Sequence, residues 1–257
     1  MKKTSLFIIV GLIIASAIML WKSTQKPAPT NTLDTPIIVG TNAEFQPFSF
    51  KNDTNDIVGF DIDVITQALH RLGKKMILKD MPFDALIPEI QLGNIHIIAA
   101  GMTPTAERAQ RTLFTVPHLT SDSLYIISLK TNPIVSFNDL KNKTVVVNEG
   151  YTADMYMSEQ PDITLIRLSS SNVSDGILAL QSGRADAFVT ALHPLQPYFE
   201  KFGRDKFVIT PIEGTQESSA FAISKHYPEL QSFIQVILNR MEEDGIMNAL
   251  KKKWGLV

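Results

Sequence analysis

A pattern that occurs twice constrains this chain more than any other feature. A helical run closes on glycine and passes directly into an apolar strand, first at Leu92-Gly93-Asn94-Ile95-His96 and again at Ser182-Gly183-Arg184-Ala185-Asp186. Each copy sits late in its own series of alternating strands and helices. Strands that alternate with helices pair in parallel through helical crossovers, so the sheet is covered on both faces. Two such series predict two α/β lobes of related design.

The first series begins with the buried-type strand Ile37-Ile38-Val39-Gly40 and a polar turn over residues 52–56. Ile62, Ile65, Leu69 and Leu72 recur at helical spacing, with Asp61 as the expected cap and Gly73 as the stop. Met76-Ile77-Leu78 reads as a strand. Phe83, Leu86, Ile87 and Ile90 then share one face of a helix that stops at Gly93. A strand over residues 95–100 leads into Gly101-Met102-Thr103-Pro104. In the second series, strands are predicted over 144–147, 163–166 and 187–190, with an amphipathic helix over 173–180. Residues 119–122 and 215–219 are the predicted crossings between lobes. A strand over 219–224 returns to the first lobe, and helices over 227–241 and 247–254 close it. The lobes are therefore expected at 37–121 plus 218–257 and at 122–217.

The amino-terminal residues carry a different signal. Lys2 and Lys3 precede an apolar run of 16 residues, 6–21, with Ala15-Ser16-Ala17 as a small-x-small cleavage pattern. That length falls between a signal-peptide core and a spanning helix. Residues 1–26 are thus expected to be a signal peptide or an uncleaved anchor, with export in either case, and 27–36 a proline-containing linker. The four lysines in 1–26 face no acid, which leaves 20 basic against 26 acidic residues in the remainder, a net of −6. That balance excludes the basic footprint of a nucleic-acid binder. The absence of cysteine excludes disulfides, thiolate metal sites, cysteine nucleophiles and a lipid-modified terminal cysteine.

In an open α/β sheet, ligands gather where strand ends meet helix starts. Here those ends are residues 42–48, Met81-Pro82-Phe83, 100–108, 148–152 and Thr190-Ala191. Residues 41–48 with Gly59-Phe60-Asp61-Ile62-Asp63, then Phe83-Asp84-Ala85-Leu86-Ile87-Pro88, and above all Gly101-Met102-Thr103-Pro104-Thr105-Ala106-Glu107-Arg108, resemble the polar amino-acid-binding proteins of ABC importers (solute-binding protein family 3). The likeness runs from about Ile37 to Leu256 and is strongest to the arginine-binding branch. It implies a type II periplasmic-binding-protein fold, with two mixed-sheet lobes flanked by helices and joined by two crossing segments.

The resemblance also implies a site. Arg108 matches the family's carboxylate clamp, which suits a guanidinium because it can meet a carboxylate with two parallel N–H donors. Thr103 would donate to the same carboxylate, and Ala100, Gly101 and Met102 belong to the loop that carries it. Tyr151 and Thr152 would approach from the second lobe, where amide N–H groups also point at the carboxylate. Phe45 and Phe83 match the positions that sandwich the ligand side chain, and aromatic faces suit a cation. Glu44 and Asn42 would receive its tip. The chain departs from the family at Ala191, where many members place an ammonium-binding Asp. Either Thr103 and backbone carbonyls suffice there, or another acid such as Glu213 or Glu217 reaches in, since a buried ammonium needs compensation.

The expected function is capture of a free basic amino acid, arginine first, with lysine, ornithine and histidine as other candidates. Delivery would be to the membrane subunits of an ABC importer, by a periplasmic monomer that needs no metal or organic cofactor. His70, His96, His118, His193 and His226 form no metal-ligand pair at helical spacing, and there is no HExxH, GxSxG, GxGxxG or phosphate-loop motif. The expectation is therefore a binding protein. An amino-acid-sensing tethered protein and a dehydratase-type enzyme on the same fold remain as alternatives.

Overall fold

The apolar strand Ile37–Thr41 lies inside a five-stranded sheet. The computed structural model describes residues 35–120 and 123–257. The expected signal or anchor segment at 1–26, all but the last two residues of the linker, and the end of the first crossing at 121–122 lie outside the described residues. In spatial order the first sheet runs Met76–Asp80, Ile37–Thr41, Ile97–Ile98, Ala222–Ile223, Leu113–Phe114. Its first three strands are parallel and its last two join antiparallel. The second sheet runs Thr164–Leu168, Thr144–Asn148, Ala187–Ala191, Leu124–Leu129, Phe207–Pro211, again three parallel strands followed by two antiparallel ones. The two α/β lobes are those expected from the alternation, which predicts parallel pairing throughout; the two antiparallel strands in each sheet depart from that and make the mixed sheets that the resemblance implies. Leu119–Thr120 pairs antiparallel with Ser218–Ser219, so the two crossings are hydrogen-bonded to each other.

The repeated motif has one physical role in both lobes. His96 Nδ1 accepts from Ile38 N at 3.0 Å, and the His96 amide donates to Ile38 O at 2.8 Å. In the second lobe Asp186 Oδ2 accepts from Thr144 N at 2.9 Å, and its amide donates to Thr144 O at 2.8 Å. Each side chain satisfies a strand N–H that the neighbouring strand starts too late to reach.

The helix Phe83–Leu92 buries Phe83, Leu86, Ile87 and Ile90, the face predicted for it, and Gly93 closes it in the left-handed conformation. The helices Pro228–Glu243 and Ile246–Lys253 cover the other face of the first sheet, through Leu230, Ile234, Ile237, Leu238, Met241 and Met247. At roughly 25 cal/mol per Å² of apolar surface, such side chains each contribute about 1.5–3 kcal/mol. Among the described residues, no helix is long and apolar enough to cross a membrane.

Asp61 departs from its expected role. The helix Phe60–Arg71 has Gly59 at its N-cap, at φ 141°, where a Cβ would come within 2.2 Å of Phe48 O. Asp61 does not cap it. Its carboxylate is fully buried and accepts from Gly101 N (2.7 Å) and Ser219 Oγ (3.0 Å), and it lies 3.0 Å from His118 Nε2. Phe60 and Phe221 flank the His118 ring, and among the described residues His118 Nδ1 has no hydrogen-bond partner. This buried node ties the start of one helix to the Gly101 loop and to residues in or beside both crossings.

Candidate functional site

The loop from Gly101 to Arg108 begins the site. Gly101 has φ +62°, and a Cβ there would meet the Phe45 ring at 2.8 Å, so glycine both permits the turn and lets Phe45 lie against the backbone. Thr105 caps the short helix Ala106–Arg111 by accepting from Arg108 N at 3.2 Å. That cap turns the Arg108 side chain back under its own loop. Arg108 is only 6% exposed. It donates from Nη1 to Thr103 O at 2.7 Å and from Nη2 to Gly150 O at 2.9 Å, the second bond crossing to the other lobe. Its guanidinium lies 5.4 Å from the Phe83 ring centroid. Burial lowers the Arg108 pKa, and Glu217, the strongest opposing charge, works against that shift.

Around Arg108 lies a small cavity of about 20 Å³. Of the residues predicted from sequence, Phe45, Phe83, Gly101, Thr103, Arg108, Tyr151 and Thr152 line it together. Ala100 and Met102 do not; both side chains are fully buried in the apolar cluster with Leu86, Ile87 and Ala222, where they anchor the loop from behind. Asn42 and Glu44 line an adjacent open groove of about 410 Å³, with Asp80, Met81 and Pro82. Asn42 donates from Nδ2 to Met81 O at 3.2 Å while its buried Oδ1 has no partner among the described residues. Glu44 is exposed and accepts from Ser171 N at 3.0 Å across the lobes. The loops that bring Phe45 and Phe83 to the cavity therefore bring acceptor groups to the groove beside it.

Tyr151 occupies the space the two phenyl rings were expected to share. It stacks on Phe83 at 4.1 Å between centroids and meets Phe45 edge-on at 5.3 Å. Phe45 itself stacks with Phe48 at 5.3 Å. The Tyr151 hydroxyl closes no well-formed hydrogen bond, although the Ser171 side chain lies close enough to favour its ionised form slightly. Burial is the larger effect and pushes its pKa well up. The amides expected to point at a carboxylate are partly engaged, because Gly150 N donates to Asp154 Oδ2 (3.0 Å) and Tyr151 N to Asn148 O (3.3 Å).

Residues beyond the predicted set also face the cavity. Asn148, Ala153, Thr190, Ala191 and Glu217 complete its wall. Ala191 was marked in the sequence for its missing carboxylate, and Glu217 was one of two acids that could replace it. Glu213, the other, is exposed. Glu217 Oε2 accepts from Thr152 Oγ1 at 2.8 Å and lies 3.1 Å from Thr103 Oγ1. Burial raises the Glu217 pKa against the pull of those two hydroxyls and of Arg108. Among the described residues no cluster of three side chains is suited to hold a metal.

A buried guanidinium, hydroxyls and aromatic rings between two mixed-sheet lobes define a type II binding-protein cleft. Residues 37–257 match the bacterial extracellular solute-binding proteins, family 3, and the chain belongs to that family. The arginine-binding extracellular protein ArtP of Bacillus subtilis (strain 168) is 31% identical over 220 residues, covering 85% of this chain and 85% of that protein. An ancestral arginine-binding protein, solved bound to arginine, is similar with a TM-score of 0.78 at 33% identity, covering 85% of this chain and 97% of that one. The ancestral amino-acid-binding protein AncCDT-1, described as a precursor of cyclohexadienyl dehydratase, is similar with a TM-score of 0.75 at 34% identity, covering 85% and 95%.

Proposed function

We propose that this protein captures a free basic amino acid, arginine first, and delivers it to the membrane subunits of an ABC importer. It would act in the periplasm as a monomer, after export directed by residues 1–26. The lobes are taken as 37–121 plus 218–257 and 122–217, hinged at the paired crossings. The observation that carries the reading is Arg108: a buried guanidinium in a cavity that also holds threonine hydroxyls and aromatic rings. Of its five N–H groups, two are spent on Thr103 O and Gly150 O, and three remain. Two of those suffice for a carboxylate.

The basic preference is supported by the groove next to the rings, where Glu44 is exposed, Asp80 pairs with Lys51 and, among the described residues, Asn42 Oδ1 has no partner. The cavity at Arg108 is too small for an amino acid, so binding requires the lobes to part and Tyr151 to leave Phe83. Closure over the ligand would then put Tyr151 against the side chain that has replaced it. The likeness to a dehydratase precursor marks the enzymatic alternative, which product formation on prolonged incubation would reveal.

A thermal-shift screen over the free amino acids and ornithine tests the reading. A ligand at a thousand times its Kd adds about 4 kcal/mol, and a domain of this size gains roughly 2–4 °C per kcal/mol. Arginine is expected to give the largest rise, followed by the other basic amino acids. A flat response to all of them would overturn the assignment.

A further inference from the structure

Resting on that reading, one question about the cavity is still open: what meets the ligand's ammonium. The second-lobe strand ends at Thr190-Ala191, and both residues face the cavity without a carboxylate. Glu217 is the one acidic residue in the wall of this cavity, and also of the small cavity beside it that Phe48, His193 and Ser219 help to line. It comes from the second crossing, just before the paired strand Ser218–Ser219.

The bonding of Glu217 is incomplete in a way that suits a cation. Thr152 Oγ1 donates to Oε2. Thr103 Oγ1 has one proton and lies 2.8 Å from Ser218 O but 3.1 Å from Glu217 Oε2, so its better acceptor is the carbonyl. Among the described residues, Oε1 makes no hydrogen bond, and no cation stands within ion-pair distance of either oxygen. Arg108 shares the cavity and its charge is felt, yet the two do not pair. Glu217 is half-buried, and a carboxylate drawn partly out of water without a cation is costly to hold, a cost that a bound ammonium removes. Two opposite charges that face one enclosed space without touching are the complement of a zwitterion. Its carboxylate goes to Arg108 and its ammonium to the opposite wall.

We propose that Glu217 holds the α-ammonium of the ligand, so that the ammonium site of this protein lies on the crossing between lobes and not at the second-lobe strand end. Thr103 and Thr152, one from each lobe, both reach the same carboxylate oxygen. The ammonium is therefore read at the point where the lobes turn on one another, by the carboxylate oxygen that no hydroxyl occupies. A ligand without the α-amino group is rejected, because it leaves the Glu217 charge enclosed and unpaired.

The test compares the full protein with Glu217→Gln, using L-arginine and 5-guanidinopentanoate, which is arginine without its α-amino group, in calorimetric titrations. The wild type is expected to prefer arginine by ~10- to 150-fold, the range for one charged hydrogen bond. Glu217→Gln is expected to lose most of that preference, chiefly through weaker arginine binding. The ratio of the two affinities is the readout, so partial unfolding that weakens both ligands alike does not imitate the effect. If the variant keeps the wild-type ratio, the assignment of Glu217 is overturned while the amino-acid reading stands. If the wild type binds arginine and 5-guanidinopentanoate equally, no charged group reads the ammonium and the assignment also fails. A wild type that binds neither overturns the arginine reading and this assignment with it.

Discussion

Replacing Asp61 by alanine should be the most damaging single change near the site, although Asp61 lines neither the Arg108 cavity nor the groove beside it. Its carboxylate is fully buried and serves Gly101 N, Ser219 Oγ and His118 Nε2. Alanine leaves three buried polar groups to find other partners. Ser219 Oγ and His118 Nε2 already lie 3.3 Å apart and can satisfy each other. The Gly101 amide has no such recourse. Breaking a buried charged network by removing one member costs about 3–5 kcal/mol, a large part of a total stability of roughly 5–15 kcal/mol. At about 2–4 °C per kcal/mol the melting temperature should fall by about 6–20 °C. Urea titration should show a lower midpoint at an unchanged slope. Asp61→Asn keeps an acceptor for Gly101 N and should lose about half as much. A loss under about 1 kcal/mol for the alanine variant would refute the view that this node holds the Arg108 loop to both crossings.

Two further outcomes follow from single positions. Gly101→Ala places a side chain at φ +62° and 2.8 Å from the Phe45 ring; it should cost ~1–3 kcal/mol in urea titration and displace Phe45, and a neutral result would show the loop to be pliant. Burial, helped by Lys79, holds the His96 pKa below 6.5 while Nδ1 accepts from Ile38 N. The unfolded chain therefore takes up this proton first, so the contribution is complete above about pH 6.5 and drains as pH falls towards the lower folded value. His96→Asn keeps an acceptor without the titration, so its melting temperature should fall less than that of the wild type between about pH 7 and pH 5; parallel curves would show that His96 has no part in acid sensitivity.

What could be read from the sequence was whatever depends on neighbours along the chain. The helix Phe83–Leu92 and its glycine stop are written in a local 3.6-residue period. The pairing of His96 with Asp186 by position is written in the repeated loop. The strand Leu124–Leu129 was missed, because a strand buried through most of its length shows no alternation. Phe207–Pro211, the short helix Gln196–Phe202 and the small sheet of Glu44–Phe45, Ser49–Lys51 and Ile57–Val58 were missed too. Asp61 was read as a cap because a helix follows it, whereas its real partners lie 40 to 158 residues away. For the same reason, no local pattern could reveal that Tyr151 stacks on Phe83.

The strand order of the first sheet has a consequence for how the chain is made. Ala222–Ile223 lies between Ile97–Ile98 and Leu113–Phe114, while the second sheet is drawn wholly from residues between Leu124 and Pro211. A ribosome builds from the amino terminus, so the inserted half has all its strands while the outer half still has a gap at its middle. The Arg108 loop hangs beside that gap. Until Ala222 and Ile223 emerge, about six-sevenths of the way along the chain, one half has all its strands and the other keeps an open seam.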